Sequence, residues 1–264
     1  MQAVRPAAVA GSFYPADAVE LATVVKDYLR ESQTPVVSRP KAIIVPHAGY
    51  QYSGPVAATA YAQLCKIASS IEKVVLIGPA HHVWFHGLAV CDARFFQTPL
   101  GKVSVDIKLL ERALSLPQVQ VLDKAHAVEH SLEVQLPFLQ VVLAKSFLLA
   151  PLVVGEASTQ EVAEVLSLLW GGPETILVVS SDLSHYHDYE TARQLDQETT
   201  RWIESLQPDR LRAEGACGYA GIRGLLACAR QHKMMVEALD LRNSGDTAGP
   251  RHEVVGYGAY VVHE

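Results

Sequence analysis

Residues 73–82 read KVVLIGPAHH. An unbroken β-branched and apolar run of this length is what a strand buried on both faces requires. The run stops on Gly78 and Pro79 and then delivers His81 and His82. The same pattern recurs in KAIIVPHAGY (41–50), which ends in Pro46 and His47. It recurs again in TILVVSSDLSHYH (175–187), where Asp182, His185 and His187 follow the apolar run. Three predicted strands thus each end in an imidazole. In open α/β sheets, ligands bind beyond the carboxyl ends of the strands. The pattern therefore predicts both a mostly parallel sheet and a histidine-rich site at one edge of it.

The rest of the chain supplies the helices between those strands. Apolar positions at helical spacing mark 18–31, 55–66 (with Pro55 in the first turn), 106–116 (with Asp106 as N-cap), 158–170, 188–205 and a helix near 218–231. The stretch HSLEVQLPFLQVVL (130–143) reads as helical from its start with Ser131 as a possible cap, and Pro137 either kinks it or begins a new helix. Further strands are expected at 147–154 and in two C-terminal runs, MMVEALDLRN and VVGYGAYVV, which a glycine-rich turn would make antiparallel. The segments 32–40 and 243–251 are the longest linkers, and neither reads as a domain boundary. The expectation is a single α/β domain over 1–264, with a mostly parallel central sheet flanked by helices.

Composition narrows the function classes. Of 264 residues, 49% are apolar and 19% charged, which suits a large core. The formal net charge of −6 argues against nucleic acid, which calls for a basic face. No secretory h-region and no apolar run of membrane-spanning length is present, so the chain reads as cytoplasmic. The four cysteines contain no CxxC pair and are expected as free thiols.

Each chemical group has a bland reading as well. A lone histidine after a strand is usually a surface residue or a satisfied core residue, and His86, His126, His187, His232, His252 and His263 are assigned that way. His130 could cap a helix or reach into the site. Cys217, in EGACGYAGIRG, precedes a predicted helix, where a thiol's pKa is expected to fall. Cys65, Cys91 and Cys228 are expected in the core. The aromatics Tyr50, Tyr52, Trp84 and Phe85 sit on the 49–54 and 82–87 loops, where they either line a pocket or pack away from it.

The motifs RPAAVAGSFYP (5–15), IIVPHAGYQYSG (43–54), LIGPAHH (76–82), EHSLEVQLPFL (129–139), VVSSDLSHY (178–186) and ACG (216–218) together resemble the Memo family. Its bacterial and archaeal members are known as AmmeMemoRadiSam system protein B. The resemblance implies a fold like that of the class III extradiol dioxygenases, which hold non-haem Fe(II) on two histidines and a glutamate. By that likeness His47 and His81 correspond to the metal-binding histidines, and Cys217 to a cysteine standing where the dioxygenases use glutamate. His185 corresponds to the acid–base histidine, Asp182 to a polar residue of the same pocket, and His130 to a histidine behind the ligands. The implied ion is Fe(II), with Cu(I) or Zn(II) as alternatives for a thiolate-containing site. The implied activity is redox chemistry on a small molecule or modified residue. A non-catalytic metal-binding or adaptor role, or less readily a zinc hydrolase, uses the same ligand types. The family name also implies a functional link to an AMMECR-type protein and a radical SAM protein.

Overall fold

The computed structural model describes residues 4–32, 37 and 39–264. The expected linker at 32–40 thus lies partly outside the described residues. Among those described, twelve strands join one sheet. They are β1 (Val4–Arg5), β2 (Pro40–Val45), β3 (Lys73–Pro79), β4 (Leu88–Val90), β5 (Phe95–Thr98), β6 (Gly101–Val105), β7 (Val119–Val121), β8 (Leu148–Val154), β9 (Thr175–Ser180), β10 (His185–His187), β11 (Met235–Asn243) and β12 (Val254–His263). The helices are α1 (Ala18–Glu31), α2 (Tyr50–Ala62), α3 (Ile107–Ala113), α4 (Asp123–Ala127), α5 (Leu136–Leu143), α6 (Thr159–Leu169), α7 (Tyr189–Glu204) and α8 (Tyr219–Gln231).

The centre of the sheet runs β6-β8-β3-β9-β2, all parallel. Residues of β2, β9 and all of β3 beyond Lys73 are buried, as continuous apolar runs demand. β12 is antiparallel to β2, and β11 and β10 both pair with β12. Register places Val45 beside Ser180 and Ile77 beside Val179, so β2, β9 and β3 end side by side. The three histidine-bearing loops therefore leave one edge of the sheet together.

Several boundaries differ from the sequence expectation. Helix α2 begins at Tyr50 rather than Pro55, so Pro55 lies inside it. Tertiary anchoring extends that first turn: the Tyr50 amide donates to Phe13 and its hydroxyl to the Val134 carbonyl. The same helix ends at Ala62, which leaves Cys65 exposed rather than in the core, while Cys91 and Cys228 are buried. Residues 130–143 do not start as a helix. Ser131 spends its hydroxyl on the Pro79 carbonyl, a short 3-10 turn follows at Glu133–Gln135, and α5 starts afresh with Pro137 in its first turn. Asp106 does cap α3, accepting from the Leu109 amide at 3.0 Å.

The N-terminal segment is tied down by a buried acid. Glu133, fully buried, takes the Arg5 guanidinium, the Ala8 and Val9 amides and the Tyr14 hydroxyl. Arg5 also donates to the His126 and Glu129 carbonyls. Removing one partner of such a pair strands the other charge in the core, at a cost of about 3–5 kcal/mol. Glu133→Ala is expected to lose that amount in urea unfolding, and a variant within about 1 kcal/mol of wild type would contradict this role.

Candidate metal centre

The donors come from three separate segments, two strand ends and one helix approach. His47 follows β2 and is 1% exposed, His81 follows β3, and Cys217 lies just before α8. One nitrogen of each imidazole and the Cys217 sulfur all lie within 4.8 Å of one another. His47 Nε2 is 3.4 Å from Cys217 Sγ. Bonds of about 2.1 Å to nitrogen and 2.3 Å to sulfur would set tetrahedral donors about 3.6 Å apart, so the pair is spaced for a shared first-row ion. The same spacing serves a thiol–imidazole hydrogen bond.

The supporting groups come from distant parts of the chain. Glu129 accepts from the His81 amide at 2.7 Å and meets its Nδ1 at 2.9 Å. Burial alone would raise the Glu129 carboxyl, but its hydrogen bonds from His81 and Ser131 carry it well below the usual carboxylate range. An ionised Glu129 can only accept, so it holds a proton on His81 Nδ1 and makes Nε2 the nitrogen left to face an ion. His47 Nδ1 meets the Ser180 hydroxyl at 2.9 Å. Burial, followed by the nearness of His81, pushes the His47 imidazole down to about 3, so the ring is neutral at neutral pH.

Asp182 ties two of the donors together through different atoms. Its carboxylate accepts from the His47 main-chain amide at 2.7 Å, and its carbonyl accepts from the Cys217 amide at 3.2 Å. It thus holds His47 by the backbone rather than by the ring. Burial raises the Asp182 carboxyl. Glycine permits the close packing here: a Cβ on Gly218 would lie 2.7 Å from the Ser180 carbonyl, and one on Gly78 2.8 Å from Ser131 Oγ.

Cys217 departs from its expected chemistry. Two residues ahead of α8, its thiol is pushed up to about 12, first by burial and then by the Asp182 charge. Burial outweighs the helix terminus, so a thiolate at this position needs a cation beside it. His130 stacks on His81 with ring centroids 4.7 Å apart and meets His47 edge-on at 5.5 Å. Burial and then His47 push it down to about 4, so it too is neutral at neutral pH. His130, His81 and Glu129 form a second close group, but it is built on a carboxylate that already accepts from His81 and Ser131.

These residues open onto a cavity of about 790 Å³ whose lining includes His47, His81, His130, Asp182, His185 and Cys217. His185, on β10, reaches it by pairing with Val255 of β12. None of the histidines assigned a structural role lines this cavity among the described residues. His126, for instance, is buried with Nε2 against the Ala89 carbonyl. Of the four aromatics, Tyr52 lines the cavity, whereas Tyr50 is buried against Tyr14 and Phe138. Trp84 and Phe85 line a smaller neighbouring cavity of about 230 Å³ that Cys217 also borders. The expected 49–54 loop is the first turn of α2.

The sequence reading missed Glu129, Ser180 and Gln135. Glu129 stood in the quoted EHSLE motif, but nothing local to it signals a partner 48 residues earlier.

Comparison with known proteins agrees with this architecture. The family described as Memo-like protein matches residues 5–261. A "MEMO1 family protein" of Ignicoccus hospitalis is 37% identical over 97% of both chains. One from Aquifex aeolicus is 37% identical over 96% of this chain and 97% of its own, and one from Sulfolobus acidocaldarius is 35% identical over the same shares. With its whole fold matched at this identity, the chain belongs to the Memo-like protein family.

Proposed function

We propose that the chain holds one transition-metal ion on His47, His81 and Cys217 and works as a redox enzyme on a small molecule or a modified residue. The observation that carries this reading is the convergence of two imidazoles and a thiol at the floor of an open cavity. The donor set fits: imidazole suits iron, copper and zinc, and thiolate adds softness. Fe(II) is the ion of choice, with Cu(I) as the redox-active alternative; Zn(II) fits the same donors but has no redox chemistry and would serve only the non-catalytic or hydrolytic reading. Bound iron or copper would supply one-electron and O2 chemistry that no side chain provides.

The chain's own residues do the rest. Glu129 turns His81, Asp182 fixes the backbone of His47 and the amide of Cys217, and His185 stands in the cavity wall to hold or move a proton. Among the described lining residues none is Lys or Arg. A substrate anion would therefore find its only strong positive charge at the ion, while Phe13, Tyr52 and Tyr257 offer apolar wall.

Metal analysis of anaerobically purified protein, paired with O2 consumption in the presence of a reductant, tests the reading. Stoichiometric iron or copper with O2 uptake supports it. Stoichiometric metal with no turnover under any reductant favours the non-catalytic alternative, and protein that binds none of the three ions refutes both. Glu129→Gln keeps the shape of the side chain but loses its charge. It is expected to weaken metal binding about 10–100-fold in chelator competition. Unchanged affinity would remove Glu129 from the account.

A further inference from the structure

Behind His47 lies a set of buried polar groups whose hydrogen bonds can be counted to completion. Ser180, Ser131 and Gln135 are all fully buried. The Ser180 hydroxyl lies 2.6 Å from the Ser131 carbonyl, 2.8 Å from Gln135 Nε2 and 2.9 Å from His47 Nδ1. A serine hydroxyl has a single proton, and a carbonyl can only accept. Two oxygens at 2.6 Å with no proton between them would repel, so Ser180 donates to Ser131.

The orientation of Gln135 is fixed in the same way. Its Nε2 faces the Pro46 carbonyl at 2.9 Å, while its Oε1 faces the Tyr61 hydroxyl at 2.9 Å. Exchanging the two amide atoms would set oxygen against the Pro46 carbonyl. Gln135 therefore gives one proton to Pro46 and the other to Ser180. The Ser180 oxygen has already spent its proton, so His47 Nδ1 must be the donor between them. The ring is left with an unprotonated Nε2, which lies 3.4 Å from Cys217 Sγ.

We propose that Ser180 is the positioning residue that fixes His47 as the Nδ1–H tautomer before any ion arrives. The proposal rests on the metal reading for the purpose of this tautomer and on the hydrogen-bond count alone for its existence. The chain then presents both histidines by Nε2 with unlike partners, a neutral hydroxyl behind His47 and a carboxylate behind His81.

The test uses metal-free protein labelled with 15N-histidine, read by long-range proton–nitrogen correlation at neutral pH, together with Zn(II) affinity from chelator competition. In wild type, His47 is expected to show a protonated-type Nδ1 and an unprotonated-type Nε2. Ser180→Ala removes the acceptor and is expected to shift the ring toward the other tautomer and to weaken Zn(II) binding about 10–100-fold. Ser180→Thr restores the hydroxyl and should restore both readouts. Gln135→Met leaves the Ser180–Ser131 bond in place, so it lowers stability while the tautomer stays. A protonated Nε2 in wild type overturns the proposal, as does a tautomer that Ser180→Ala leaves unmoved. Should Ser180→Ala not fold, the wild-type spectrum alone decides. The expected wild-type tautomer without Zn(II) affinity upholds the proposal and refutes the metal reading instead.

Discussion

His47→Ala is expected to abolish stoichiometric metal binding while leaving the fold intact. Two protein donors would remain, His81 and Cys217, and the second is a poor one in isolation. Its thiol is pushed up to about 12, so forming the thiolate depends on the positive charge of an ion held by its neighbours. Removing the buried imidazole therefore costs one bond directly and weakens the sulfur bond as well. The loss should exceed the roughly 10–100-fold seen when only an outer partner of a ligand is removed. The backbone bond from residue 47 to Asp182 survives the substitution, since it uses the main-chain amide. Metal content after anaerobic loading, with a denaturation midpoint as the folding control, checks this. A folded variant that retains wild-type metal content would rule out His47 as a ligand.

His185→Ala should do the opposite. His185 stands in the cavity wall on β10 and is not part of the donor group. Metal content should stay near that of wild type. Turnover, measured as reductant-dependent O2 consumption, should fall about 10²–10⁴-fold, the usual contribution of a positioned acid–base group. The two variants then separate in both readouts, one losing metal and the other losing rate. If His185→Ala loses metal as completely as His47→Ala, His185 is a ligand and the acid–base role is wrong.

The core of the fold was legible because β2, β3 and β9 are continuous apolar runs that end abruptly in Pro, Gly or polar residues. Helices with polar caps were legible for the same local reason: Ser158 and Asp188 cap α6 and α7 within a residue of the expected starts. The strands β5, β6 and β7 were not, since runs of three to five residues are too short to establish a period. Strand order was also out of reach, because it depends on pairings between distant segments.

The candidate site divides along the same line. The strand-end pattern pointed to His47, His81 and His185, and the family resemblance added the role of Cys217. Their partners were hidden, because Glu129 reaches His81 across 48 residues and Ser180 reaches His47 across 133. The thiol was misjudged because a helix terminus is visible in sequence and burial is not. In the folded chain, burial dominates.

The central claim is that one ion bonds to both imidazoles and to the Cys217 sulfur. X-ray absorption at the edge of the bound metal tests this most directly, on wild type and on Cys217→Ser loaded under the same conditions. The wild-type shell should contain one sulfur at about 2.3 Å and imidazole nitrogens at about 2.0–2.1 Å, with the sulfur scatterer absent from the variant. A wild-type shell of nitrogen and oxygen alone, unchanged in Cys217→Ser, would contradict the account.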